Sequence, residues 1–262
     1  MGVPNPFRVV GAVGWVTFLE VLRDKIFYNI VLFGLLLFGV SILASNLTFI
    51  RPDRVVLDFG VTAVNLACTA IAILTGAGLL GKEFERRTIY VALSRPISRA
   101  QFVFGKFFGL SLVLFLNWSL LAITFLVILF THDGAANFHA TLVLALGLLF
   151  LQSLVMGAIA IMFSAFSTTS LSVIMTTGLF LVGNNISQIR LIAARSKEAE
   201  VKVILNTISS LLPNLEHFNL GFKVTYGLPV TWQFGLTSIA YGICLTLLCI
   251  GFAGYLIRTK EA

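Results

Sequence analysis

The stretch Gly81-Lys-Glu-Phe-Glu-Arg-Arg-Thr-Ile-Tyr-Val-Ala-Leu-Ser-Arg-Pro-Ile-Ser-Arg-Ala-Gln-Phe-Val-Phe-Gly-Lys106 decides how the rest of the chain is arranged. It holds eight of the 29 charged residues in 26 positions, between two long apolar runs that hold almost none. A Lys, Arg or Asp at the centre of a bilayer costs about 2.5–3.5 kcal/mol even on the mildest scale. The stretch therefore lies outside hydrocarbon, as a structured segment at a membrane face.

Working outward, the chain is 58% hydrophobic and 11% charged, with mean hydropathy +0.99. A soluble domain carries about 25% charged residues, so most of this chain belongs in a bilayer. At roughly 20 residues per span, 262 residues leave room for about six or seven helices and no large soluble domain. Hydropathy predicts spans at Ile26–Ala44, Val56–Leu80, Phe107–Phe130, Thr141–Phe163, Leu171–Val182 and Trp232–Ile257. The fifth has a short apolar core and must draw on its polar flanks, Thr168-Thr-Ser170 and Asn184-Asn185. Residues 5–25 read as an interfacial helix anchored by Trp15, and 198–212 as an amphipathic helix ended by Pro213. Its apolar stripe is Val201, Leu205, Ile208 and Leu212, with Lys202, Asn206 and Ser209 elsewhere.

The net charge of +7 is a matter of topology rather than of nucleic-acid binding, because the cations cluster at helix ends. Eleven Lys and Arg fall on the side of the N-terminal segment, the 81–106 stretch and the C-terminal tail, against Arg51 and Arg54 opposite. Both termini and the charged stretch are thus expected in the cytoplasm. The apolar run after Arg8 ends in Glu20, Arg23, Asp24 and Lys25 rather than in a small-residue cleavage site, so no cleavable signal peptide is expected.

Several chemistries find no residues. Cys68, Cys244 and Cys249 sit in apolar runs without a Cys-x-x-Cys pair, and His132, His139 and His217 read as solvated, so no metal or redox site is expected. No phosphate-binding Gly-x-x-x-x-Gly-Lys loop is present, no charge falls in mid-span, and no His-Glu-x-x-His occurs. Energy must arrive from another chain.

The stretch resembles the corresponding segment of the type-2 class of ABC-transporter permeases, the exporter-like membrane subunits. The matching residues are Glu83, Glu85, Arg86, Thr88, Leu93, Ser94, Pro96, Ile97, Ser98, Arg99, Gly105 and Lys106. The step Arg87-Thr88-Ile89 and the element Leu211-Leu-Pro-Asn-Leu-Glu-His-Phe-Asn219 are most similar to the branch associated with maturation of multi-copper enzymes.

The resemblance implies an all-α polytopic membrane protein, one permease domain over 1–262 with six transmembrane helices. An interfacial helix would occupy 1–25, a cytoplasmic coupling segment 82–106 and an outer re-entrant or amphipathic element 183–231. It implies ABC ATPase partners that carry ATP and magnesium, with no cofactor bound by this chain and no catalytic residue in it. It further implies a second permease subunit, identical or different, and a bacterial cytoplasmic membrane as the setting.

In that frame Glu83, Glu85, Arg86, Arg87, Arg95, Pro96 and Arg99 are candidates for coupling to the ATPase. Acids near the start of a short helix and Arg near its end give charge-assisted contacts that resist shear, and Pro96 fixes the turn. Ser94 or Ser98 suits the cap of the next helix. An ordinary loop rich in positive-inside charge explains the Lys and Arg count but not Glu83, Glu85 or the Ser-Arg-Pro-Ile-Ser-Arg run.

Asn65 and Thr69 on the second span, and Ser172 and Thr176 on the fifth, form polar stripes. Either they line a pathway shared with the second subunit, or small and hydroxyl residues there simply let helices approach. Gly105-x-x-x-Gly109 reads as packing, and Asn117 and Gln152 as amides bonded across helices. Two alternatives to a transport function remain: an ATP-driven membrane subunit for assembly or signalling that moves no substrate, and an unrelated membrane enzyme or channel.

Overall fold

The computed structural model describes residues 6–47, 52–85, 98–133, 140–196 and 198–259. Among them the secondary structure is helical throughout: α1 (Pro6–Leu22), α2 (Lys25–Leu47), α3 (Pro52–Glu85), α4 (Arg99–Asp133), α5 (Ala140–Ser164), α6 (Thr169–Gly183), α7 (Ile186–Arg195) and α8 (Ala199–Leu211). A 3-10 turn (Leu215–Phe218), α9 (Gly221–Thr225) and α10 (Trp232–Thr259) complete it. Five helices are long and apolar enough to cross a membrane, and the bent pair α6–α7 makes a sixth crossing if counted as one span. The chain is an all-α polytopic membrane protein.

α3 is the central helix. Val64, Ala67, Cys68, Ile71, Ala72 and Leu80 on it are fully or almost fully buried, and α2, α4, α5, α6 and α9 all pack against it. Small residues set the close approaches, as expected where lipid is as apolar as leucine and helices associate by packing. A Cβ on Gly76 would lie 3.0 Å from the Ala160 Cβ and 3.1 Å from the Gly157 carbonyl of α5. α2 joins through Gly34, against Leu121 and Ala67, and through Phe38 stacked on Phe125 at 6.2 Å. α10 runs beside α5, its Gly235 and Gly242 facing Leu144 and Leu151. The outward faces are apolar, with Leu32, Leu36 and Leu43 on α2 and Ile243, Leu247 and Leu248 on α10 exposed. In water that surface would be untenable, whereas in hydrocarbon it is the solvated face.

Amides bond across helices as expected. Asn117 donates to the Cys68 sulfur at 3.5 Å, and Gln152 donates to the Asn184 Oδ1 at 3.4 Å. Of the cysteines, Cys68 and Cys249 are buried, but Cys244 faces outward.

The predicted fifth span departs from a straight rod. α6 has 15 residues, about 22 Å at 1.5 Å per residue, short of the roughly 30 Å hydrocarbon layer. It bends by 62° into α7. The break lies beside the middle of α5, where Gln152 meets Asn184.

The amphipathic helix predicted over 198–212 is α8. Ser209, expected away from its apolar stripe, is instead buried, and the Arg190 guanidinium of α7 donates to its carbonyl at 3.4 Å. Beyond α8, the 3-10 turn and α9 fold back onto α3, α5 and α10. Phe218 packs at Gly242, and the Arg54 guanidinium lies 5.1 Å from the Tyr226 ring centre.

Candidate coupling site

α3 ends and α4 begins on either side of residues 86–97, so both roots of the charged stretch are visible. α4 starts with a reciprocal cap: the Gln101 amide donates to the Ser98 Oγ at 3.2 Å, and the Ser98 amide donates to the Gln101 Oε1 at 3.1 Å. Two of the orphan donors of the first turn are thereby satisfied. Ser98, one of the two hydroxyls expected to cap here, does so, and Ser94 lies outside the described residues.

Lys106 stands eight residues into α4, where the helix is already apolar. Its side chain is 6% exposed, and such a cation persists only when paired. The Nζ lies 2.5 Å from the Glu83 Oε1 on α3 and 3.4 Å from the Glu20 Oε2 on α1. It also stands 5.7 Å from the Phe102 ring centre. Glu83 is 20% exposed and Glu20 60%, so the link to α3 is the more desolvated and the stronger of the two.

α1 is held to α4 by more than charge. Gly14 on α1 faces Gly105 and Gly109 on α4, and Thr17 meets Gly109. A Cβ on Gly109 would lie 2.5 Å from the Gly14 carbonyl oxygen, so the two backbones are in near contact. The Gly105-x-x-x-Gly109 pair is thus a packing seam, and its partner is the N-terminal helix. The last helix reaches the same end of the bundle. The Arg99 guanidinium donates to the Ile257 carbonyl of α10 at 3.1 Å, where a helix C-terminus leaves carbonyls without partners. Gly81 of α3 meets Thr169 at the start of α6.

Of the seven coupling candidates, Glu83 and Arg99 are therefore engaged at this end of the bundle. Arg86, Arg87, Arg95 and Pro96 lie outside the described residues, as does the side chain of Glu85. Sequence reading noticed Lys106 only as part of a motif and passed over Glu20. The signal was available, because a lysine two turns into an apolar helix has to find a carboxylate.

The four candidate pathway residues are all buried within this single chain. Thr69 donates to the Asn65 Oδ1 at 3.3 Å on the same helix. Ser172 shares a 2.7 Å hydrogen bond with Ser167, and Thr176 donates to the Ser172 carbonyl at 2.7 Å. Gly76 and Gly183, which extend the two stripes, meet α5 and Leu215.

A second polar cluster occupies the α6–α7 break. Side-chain amides of Asn184 and Asn185 donate to the Phe180 and Leu181 carbonyls at 3.0 and 2.8 Å, closing the end of α6. The Glu216 carboxylate accepts from the Ser187 amide at 2.9 Å and from the Ser187 hydroxyl, capping the N-terminus of α7. Asn214 holds Glu216 in place by accepting its amide at 3.1 Å, and its own amide donates to the Tyr241 hydroxyl at 3.0 Å. Leu215 fills the space over Gly183. The Leu211–Asn219 element thus caps the start of the helix that follows the break.

A bundle of membrane-length helices with a bent helix pair defines a polytopic membrane protein. The profile of the family described as "ABC-2 family transporter protein" matches residues 39–256, and the chain belongs to that family. It is a membrane component of a transporter, and membership implies association with ABC ATPase subunits. None of the curated proteins compared with the chain matches it.

Proposed function

We propose that the chain is the permease subunit of an ABC exporter, driven by a separate ATPase that docks on the 82–106 segment. The observation that carries this reading is the convergence at the charged end. The two helices that flank 86–97, the N-terminal helix and the last helix meet there through Lys106, Arg99 and the glycine seam. Force applied to the connection would reach four helices at once. Charge asymmetry supports a cytoplasmic location for this end and for both termini. ATP and magnesium are assigned to the ATPase, and two permease subunits, identical or different, complete the transporter in a bacterial cytoplasmic membrane. The Arg87-Thr88-Ile89 step and the Leu211–Asn219 element favour the branch associated with multi-copper enzyme maturation.

The test is co-expression with ABC ATPases from the same organism, followed by purification in detergent and ATP turnover in liposomes. A stable complex whose assembly or turnover is impaired by Glu85→Lys, but not by Glu198→Lys or Glu200→Lys, is the expected result. Absence of any complex, or equal tolerance of all three reversals, would overturn the reading. Turnover that never responds to candidate substrates would instead favour a membrane subunit for assembly or signalling.

A further inference from the structure

We propose that Lys106 is the positioning residue of the coupling segment, and that Glu83 acts through Lys106 rather than by touching the ATPase. This rests on the function proposed above. The two residues stand at opposite roots of the 86–97 connection, Glu83 two residues before the end of α3 and Lys106 as the eighth residue of α4. Their 2.5 Å contact fixes the distance and rotation between those roots. Pinning the two ends of a connection narrows the range of shapes it can take, and so lowers the ordering cost that a partner must meet.

Burial separates positioning from contact. The Lys106 ammonium is almost wholly enclosed, beyond the reach of a second protein, and the carboxylate it binds is turned toward it. Glu20 adds a looser third arm at 3.4 Å, so α1 is registered to the same point. The Gly14–Gly105–Gly109 seam brings Glu20 close enough to reach. Lys106 therefore makes α1, the end of α3 and the start of α4 one body, and the N-terminal helix moves with the segment that receives the stroke.

Charge exchange tests this against direct contact. The variants are Lys106→Met, Lys106→Arg, Glu83→Lys and the double reversal Glu83→Lys with Lys106→Glu. Each is examined for ATPase affinity in detergent and, alone, for the distance distribution between spin labels at Phe7 and Gln101. Glu83→Lys and Lys106→Met should weaken ATPase binding by about tenfold, within the range by which linked sites alter one another. They should also broaden the label distances, while elution remains monodisperse. Lys106→Arg should keep most of both properties. The double reversal should recover both, because the pair is restored with its sign exchanged.

If Glu83 touches the ATPase directly, the double reversal will bind no better than Glu83→Lys, and the proposal fails while the permease reading stands. Wild-type affinity in Lys106→Met overturns it equally. If the wild-type chain binds no ATPase at all, the permease reading fails, and the inference fails with it.

Discussion

Gly109→Ala is the sharpest test of how the N-terminal helix is held. The added methyl would lie 2.5 Å from the Gly14 carbonyl oxygen and 2.6 Å from the Thr17 Cβ. Neither neighbour is the end of a flexible chain, so rotation of a side chain cannot relieve the clash. α1 must withdraw by about 1 Å to restore the roughly 3.5 Å spacing at which such atoms attract. Overpacking of this kind costs about 1–3 kcal/mol.

The same withdrawal would stretch the 3.4 Å contact between Lys106 and Glu20 beyond ion-pair range. Thermal unfolding in detergent micelles, followed by tryptophan fluorescence, should show a midpoint lowered on the order of 5 °C. Gly11→Ala on the same helix is the control, since nothing lies within 4 Å of its Cβ position. It should be neutral, or stabilising by up to about 1 kcal/mol through helix propensity. If Gly109→Ala melts with the wild-type protein, or Gly11→Ala loses as much, the close backbone seam between α1 and α4 does not exist.

Other outcomes follow from the same geometry. Glu216→Leu removes the cap of α7 and should cost about 1–2 kcal/mol; faster hydrogen exchange at the Ser187 amide would report it, and unchanged protection would contradict the cap. Single cysteines at Gln101 and Thr231, in a background without native cysteines, should react with an impermeant reagent from opposite sides of the membrane; labelling of both from one side would exclude the proposed topology. Asn65→Leu should lower stability by about 1 kcal/mol, as loss of a buried hydrogen bond does, with ATP turnover retained; a loss of substrate-stimulated turnover at unchanged stability would mark Asn65 as part of a pathway wall.

The membrane-length helices and the helix over 199–211 were legible in sequence because each depends on local composition. Hydropathy sums along one segment, and the cost of burying a charge does not depend on which neighbour is near. The Ser98 cap was legible for the same reason, its partner Gln101 being three residues away. What sequence left open were the relations between helices. The Lys106–Glu20 pair joins residues 86 apart, and it forms only because the glycine seam sets the rotation of α1 against α4. The polar stripe of Asn65 and Thr69 had an evident face but no evident neighbour, and packing turned that face inward. The polar flank at Asn184 was evident, yet the bend there was not, nor were its partners Gln152 and Glu216, the latter 29 residues beyond Ser187. Composition determines which segments enter the bilayer, because transfer from water is a property of each segment alone. Only tertiary packing decides which residues meet there, because a contact depends on the rotation and depth of two helices together.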